Sequence, residues 1–248
     1  MLGVGLGLTT LRGRAAGFSP LDIPNLAGWW DASDTSTITE SGGSVSQWDD
    51  KSGNGLHVTQ AVSAEQPSTG LATQNSLNVL SLDGSQYLKN ASPNLDSDLT
   101  IVCVFKVVSA TNFTMPGPVF GSGNAGRPAE YYDHPSLGRR TNIDTTSATL
   151  LGVKFRTESF NFASWLLTYA KDTAASPRVA EYSNNVQTFA VDNATAHNVT
   201  GQEFFIGRRA DGTTTLNGQI GEVLVFDRII SSGERADLAS YLAGKWGL

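Results

Sequence analysis

The segment QWDDKSGNGL, residues 47–56, sets two adjacent carboxylates and a lysine beside a Gly-Asn-Gly knot. It admits a reactive-site reading and a turn reading. Glycine and asparagine tolerate positive φ, and Asp50 can accept from amides two or three residues ahead. A catalytic pair needs a second acid at a fixed distance, and the segment supplies none. The turn, which lies between Trp48 and the run Leu56-His57-Val58, accounts for every residue type.

Outward in both directions the same pattern repeats. Short runs rich in β-branched and aromatic residues are separated by Gly, Asn, Asp, Ser and Pro, as in an antiparallel sandwich. Candidate strands are residues 26–32, 44–50, 77–84, 99–108, 118–123, 150–156, 164–170, 186–191, 203–209 and 219–227. In 150–156, Leu151, Val153 and Phe155 alternate with Gly152, Lys154 and Arg156, which puts one face inward and one toward water. Ile101 to Val108 is nearly all apolar, which predicts a central strand covered on both sides. Trp29 and Trp30 are neighbours, so on one strand they face opposite ways. One of them is core and the other is in a second layer or exposed. A single helix is predicted near the C-terminus. Ser231 and Glu234 fit a capping box, Leu238, Tyr241 and Leu242 share a face, and Gly244 is the predicted stop.

A chain of 248 residues suits one all-β domain. The net charge is −6, and the basic residues form no run longer than Arg139-Arg140 or Arg208-Arg209, which argues against a nucleic-acid groove. Cys103 is the sole cysteine, so no intrachain disulfide forms. It is read as a small buried hydrophobe of a protein folded in a reducing cytoplasm. The N-terminal apolar stretch is broken by Gly3, Gly5 and Gly7 and followed by Arg12 and Arg14. It fits neither a signal peptide nor a membrane span, and no membrane insertion is expected. Residues 1–18 are read as a flexible anchoring arm, with Leu2, Val4, Leu6, Leu8 and Leu11 as its partner contacts. Residues 19–248 form the sandwich domain.

Several stretches resemble the laminin-G-like, concanavalin A-like lectin/glucanase domains. They are Trp48-Asp49-Asp50-Lys51-Ser52-Gly53-Asn54-Gly55, the run Leu26-Ala27-Gly28-Trp29-Trp30-Asp31-Ala32-Ser33, and Ser81-Leu82-Asp83-Gly84-Ser85-Gln86-Tyr87-Leu88. The tail from Phe205 through Gly218–Arg228 to Tyr241–Leu248 is the fourth. The resemblance implies an all-β jelly-roll sandwich of two antiparallel sheets with one short C-terminal helix. It leaves function open, because this fold hosts lectins, hydrolases and structural modules. The start, Met1-Leu2-Gly3-Val4-Gly5-Leu6-Gly7-Leu8 followed by Phe18-Ser19-Pro20, resembles those of tailed-phage virion proteins.

Glucanases of this fold carry Glu-x-Asp-x-Glu on one strand, and no Glu-x-Asp occurs here. Glu130 and Asp133 stand three apart, and Glu222 has no acid two residues away. There is no Gly-x-Ser-x-Gly. His57, His134 and His197 lie in separate segments, with no His/Cys pair for zinc. No catalytic residue is assigned and the protein is expected not to be an enzyme. No cofactor is expected. Calcium is the one metal the carboxylates suggest, with Asp31 and Asp34 as candidates. Residues 121–146 have no clear period, and loops this long are commonly functional. Tyr131, Tyr132, His134, Arg139 and Arg140 within them are the candidate ligand-binding residues. The expected role is a non-enzymatic phage virion surface protein, made in the host cytoplasm and homo-oligomeric, as a trimer. It would attach to capsid or tail proteins through the arm and adhere to host glycan. The alternatives are a bacterial carbohydrate-binding or glycoside-hydrolase-like protein, and a structural cement subunit.

Overall fold

The computed structural model describes residues 17–93, 95, 97–108, 161–171, 175–177, 179–192, 203–208 and 215–248, with the backbone of short strands between 113 and 142. Its strands are β1 (Leu26–Asp31), β2 (Ile38–Ser41), β3 (Ser44–Trp48), β4 (Val58–Thr59), β5 (Ser68–Gln74), β6 (Leu77–Asp83), β7 (Leu88–Asn90), β8 (Leu99–Val107) and β9 (Phe113–Thr114). They continue with β10 (Gly117–Pro118), β11 (Glu130–His134), β12 (Gly138–Asn142), β13 (Ala163–Tyr169), β14 (Val179–Ser183), β15 (Val186–Val191), β16 (Phe204–Ile206) and β17 (Asn217–Phe226). A helix, α1 (Ser232–Trp246), follows.

One hydrogen-bonded path runs β10-β16-β7-β4-β3-β5-β6-β17-β8-β13-β14-β15, with β2 paired to β3 and β1 to β17. Every pairing in it is antiparallel. The path folds back on itself where β3 and β5 share one pair, Ser44 with Ser68. This makes two layers. The front layer holds β10, β16, β7, β4, β3 and β2. The back layer holds β5, β6, β1, β17, β8, β13, β14 and β15.

Alternation along each strand fills the space between the layers. Val45, Trp48, Val58, Leu88, Phe204 and Ile206 of the front layer meet Ile101, Cys103, Phe105, Trp165, Leu167, Val223 and Val225 of the back layer. Trp30 stacks on Phe204 with centroids 5.1 Å apart. The opposite face of the back layer is also buried. Val102, Val104, Leu166, Leu224 and Phe226 pack with Trp29 under Leu238, Leu242 and Trp246 of the helix. Each such apolar side chain contributes about 1.5–3 kcal/mol on burial. The molecule is thus three layers deep, which is why β8 is apolar at nearly every position. Trp30 lies in the sandwich core and Trp29 in the second layer, and both are buried.

The helix begins at its predicted cap: Ser231 Oγ accepts from the Glu234 amide and Glu234 reaches back to the Ser231 amide. It runs past the predicted stop at Gly244. Gly247, with φ 66°, is the C-cap instead. Lys245 and Trp246 extend it because both donate to a carboxylate on the sheet below. The segment 121–146 is likewise not one loop. β11 and β12 pair antiparallel within it, and β9 pairs with β11. The predicted strand 150–156 and the arm residues Leu2, Val4, Leu6, Leu8 and Leu11 lie outside the described residues. Among the described residues no helix is long and apolar enough to cross a membrane.

Candidate functional site

Among the described residues, the densest polar constellation lies between the back layer and α1. β17 carries a register shift between Ile220 and Glu222 against β8. The shift turns Ile220 toward the sandwich core and Glu222 toward the helix. Gly221 stands at the shift, and a Cβ there would meet the Trp246 ring at 3.0 Å. Glu222 is fully buried and accepts from Trp29 Nε1 at 2.7 Å, Trp246 Nε1 at 2.7 Å, Tyr241 Oη at 3.1 Å and Lys245 Nζ at 2.9 Å. Asp31 is its cross-strand neighbour on β1. Lys245 Nζ also touches Asp31 Oδ1 at 2.7 Å, Lys51 Nζ lies 3.0 Å from Asp31 Oδ2, and Lys51 Nζ reaches Asp34 Oδ2 at 2.8 Å. Charges therefore alternate from the buried core to the surface: Glu222, Lys245, Asp31, Lys51, Asp34.

The electrostatics follow from this order. Burial raises the Glu222 carboxyl above its ordinary value, and the Asp31 charge adds to the rise against Lys245 and the Trp246 indole. Burial also acts to raise Asp31, but Lys245, Ser33 and Lys51 outweigh it and hold that carboxyl low. Burial would lower Lys51, but Asp34 and Asp31 overcome it and the ammonium is held above its usual value. Tyr241 is raised by burial and by the two carboxylates. A carboxylate with four donors is solvated by protein in place of water, which is the condition for burying a charge. The geometry fits Glu222 for holding the helix on the sheet.

The 47–56 segment is the turn its residue types predict, and it is tied to β1. Asp50 Oδ1 accepts from the amides of Trp29 and Ser52, both at 2.8 Å. Asp50 Oδ2 accepts from Ser52 Oγ at 2.7 Å and from the Leu56 amide at 3.0 Å. Asn54 Nδ2 donates to the carbonyls of Leu26 and Ala27. Gly53 and Gly55 take positive φ of 90° and 74°. Lys51 rides over the Trp29 ring at 4.6 Å.

The helix covers the outer face of the back layer. Across the outer face of the front layer runs a row of direct cross-strand partners, Thr39, Gln47, Thr59, Lys89 and Phe205. Thr39 and Thr59 are exposed, and Gln47 and Lys89 half-buried. Phe205 packs on Tyr87 with ring centroids 6.0 Å apart, and Arg208 lies 4.1 Å above the Tyr87 ring. Lys89 pairs with Glu203 at 2.7 Å.

The predicted site residues are placed unevenly. Asp31 and Asp34 are brought together, but the cation between them is the Lys51 ammonium. Tyr131, Tyr132 and His134 fall on β11, and Arg139 and Arg140 on β12. The register sets Tyr132 opposite Arg140 and Asp133 opposite Arg139. The Glu222 cluster was missed, because its acids are neighbours across strands and not along one. The signal available was a Lys-Trp pair at the end of an amphipathic helix, together with a lone glutamate in an apolar strand.

No protein-family model and no curated protein matches the chain. Solved structures do match. Domain 4 of AbnA, a GH43 extracellular arabinanase from Geobacillus stearothermophilus, in complex with arabinotriose, has a TM-score of 0.60 at 14% identity, covering 87% of this chain and 98% of that one. An arabinofuranosidase complexed with arabinofuranosyl-alpha-1,2-xylobiose gives 0.61 at 12% identity, covering 94% and 60%. Trypanosoma rangeli sialidase in complex with sialic acid gives 0.59 at 15% identity, covering 89% of this chain and 33% of that one. The chain therefore spans about a third of the sialidase it matches. The expectation that the protein is not an enzyme does not stand, because the structures sharing its fold come from an arabinanase, an arabinofuranosidase and a sialidase. The virion reading gains no support from them. At these identities the likeness is one of fold: a concanavalin A-like, lectin/glucanase-type β-sandwich with a single C-terminal helix.

Proposed function

We propose that the chain is a carbohydrate-binding domain of the glycoside-hydrolase type. The observation that carries this is the match to AbnA domain 4, similar in extent to this chain and solved holding arabinotriose. The layering supports it. The helix closes one face of the sandwich, and the front layer presents a polar row suited to sugar hydroxyls. We assign the glycan contacts to this face and to Tyr131, Tyr132, His134, Arg139 and Arg140 on the β11–β12 pair. Tyrosine offers a sugar ring large contact area at low entropy cost, and arginine offers directed donors.

The test is an array of arabino-, xylo- and sialo-oligosaccharides probed with the intact chain, with the same panel assayed for released sugar. Binding to one class, weakened about tenfold by Tyr132→Ala in a folded variant, is expected. An array blank across all three classes would reject the reading. Sugar release would show that binding is coupled to cleavage.

A further inference from the structure

We propose that Lys245 and Asp31 condense into an intramolecular isopeptide bond, with Glu222 as proton carrier, so that the first strand is joined covalently to the C-terminal helix. Lys245 Nζ stands 2.7 Å from Asp31 Oδ1 and 2.9 Å from Glu222 Oε2. The three side chains are 15%, 5% and 0% exposed. Trp246 and Tyr241 rings lie 5.1 and 5.5 Å from the same nitrogen, and Trp29 closes the far side of Glu222. A surface Lys–Asp pair stays ionic because water solvates both charges. Here Asp31 and Glu222 are buried and the amine nitrogen is held against the Asp31 carboxyl group, so solvation of the charges is reduced and the two groups stay together, conditions under which an intramolecular reaction gains.

The remaining contacts suit the step. A proton passes from Lys245 Nζ to Glu222 Oε2, the carboxyl that burial raises, and from there to Asp31 Oδ1, leaving a neutral amine and a neutral acid. The amine lone pair attacks Cγ, and negative charge develops on Oδ2, where the Lys51 ammonium waits at 3.0 Å. Glu222 Oε2 takes a proton from the now cationic nitrogen and returns it to Oδ1. The Cγ–Oδ1 bond breaks, Oδ1 leaves as water, and the Cγ=Oδ2 double bond reforms. An ammonium and a carboxylate become one amide and one water, and Glu222 ends as it began. Ser33, which donates to Oδ1 through its amide and its hydroxyl, orients the leaving oxygen. The product amide N–H can replace the lost ammonium as a donor to Glu222.

The intact mass of the folded full chain is the test. It should fall one water, about 18 Da, below the sequence mass. A tryptic digest should yield residues 236–248 joined to residues 15–51, because an acylated Lys245 is not cleaved. Asp31→Asn should lose ammonia in place of water. Glu222→Gln should keep the full sequence mass, and retained water loss in that variant would overturn the proton-carrier role. A folded wild-type chain at its full sequence mass would overturn the bond itself and leave an ion pair.

Discussion

Glu222 and Asp50 are the two residues on which most polar structure converges, and they differ in kind. Glu222 is a buried charge whose four partners are all donors. Glu222→Gln keeps the shape but turns an NH2 group toward donors and leaves Lys245 half-paired. We expect it to cost about 3–5 kcal/mol, read as a drop in the urea midpoint. Asp50→Ala frees the amides of Trp29, Ser52 and Leu56 together, and about 3 kcal/mol of destabilisation is expected. The tryptophans give a sharper comparison. Trp246 Nε1 donates to Glu222, whereas the indole nitrogens of Trp30 and Trp48 are buried without a partner. Trp246→Phe should therefore cost about 1–3 kcal/mol more than Trp48→Phe in the same denaturation assay. Asp50 was legible at this scale because a turn is local and its residue types name it. The Glu222 cluster was not, because Asp31, Glu222 and Lys245 meet only through β-pairing and helix docking.

At the scale of elements, α1 was predicted from its cap and stripe, and its length was misjudged. Gly244 resembles a stop, but the contacts of Lys245 and Trp246 with the sheet outweigh its helix-breaking tendency. Such contacts are tertiary and have no period to read. The cap makes a pH prediction. Arg228, with the Ser231 cap behind it, holds the Glu234 carboxyl down to about 2 from an ordinary 4.5. A depressed carboxyl stabilises the fold fully above the unfolded value and loses that contribution as pH falls through the folded one. Stability carried by Glu234 should thus fade between pH 4.5 and 2, and Glu234→Gln should flatten that part of the melting-temperature profile. Gly221 sets how closely the helix sits. Gly221→Ala would push a methyl against the Trp246 ring and should cost about 1–3 kcal/mol in denaturant unfolding.

For the whole molecule, alternating stripes were enough to give an antiparallel sandwich, and the nearly continuous apolar run of β8 foretold cover on both faces. Pattern alone did not tell which layer the helix would cover. That was decided by where β17 ends and how α1 turns back over Leu224 and Phe226. Nor did the scatter of acids along the chain bear on catalysis, since side chains cooperate by proximity in the fold. The layering bears on the proposed function: the helix closes the outer face of the back layer, while the front layer keeps exposed polar residues, Thr39 and Thr59, on its outer face.

An amide-shift titration of the intact protein with the oligosaccharide that the array retains tests the proposed carbohydrate face most directly. The account predicts saturable shifts at Thr39, Gln47, Thr59, Lys89, Tyr131 and Tyr132, with α1 silent. Shifts confined to residues 232–246, or none at any amide up to the solubility limit of the sugar, would contradict it.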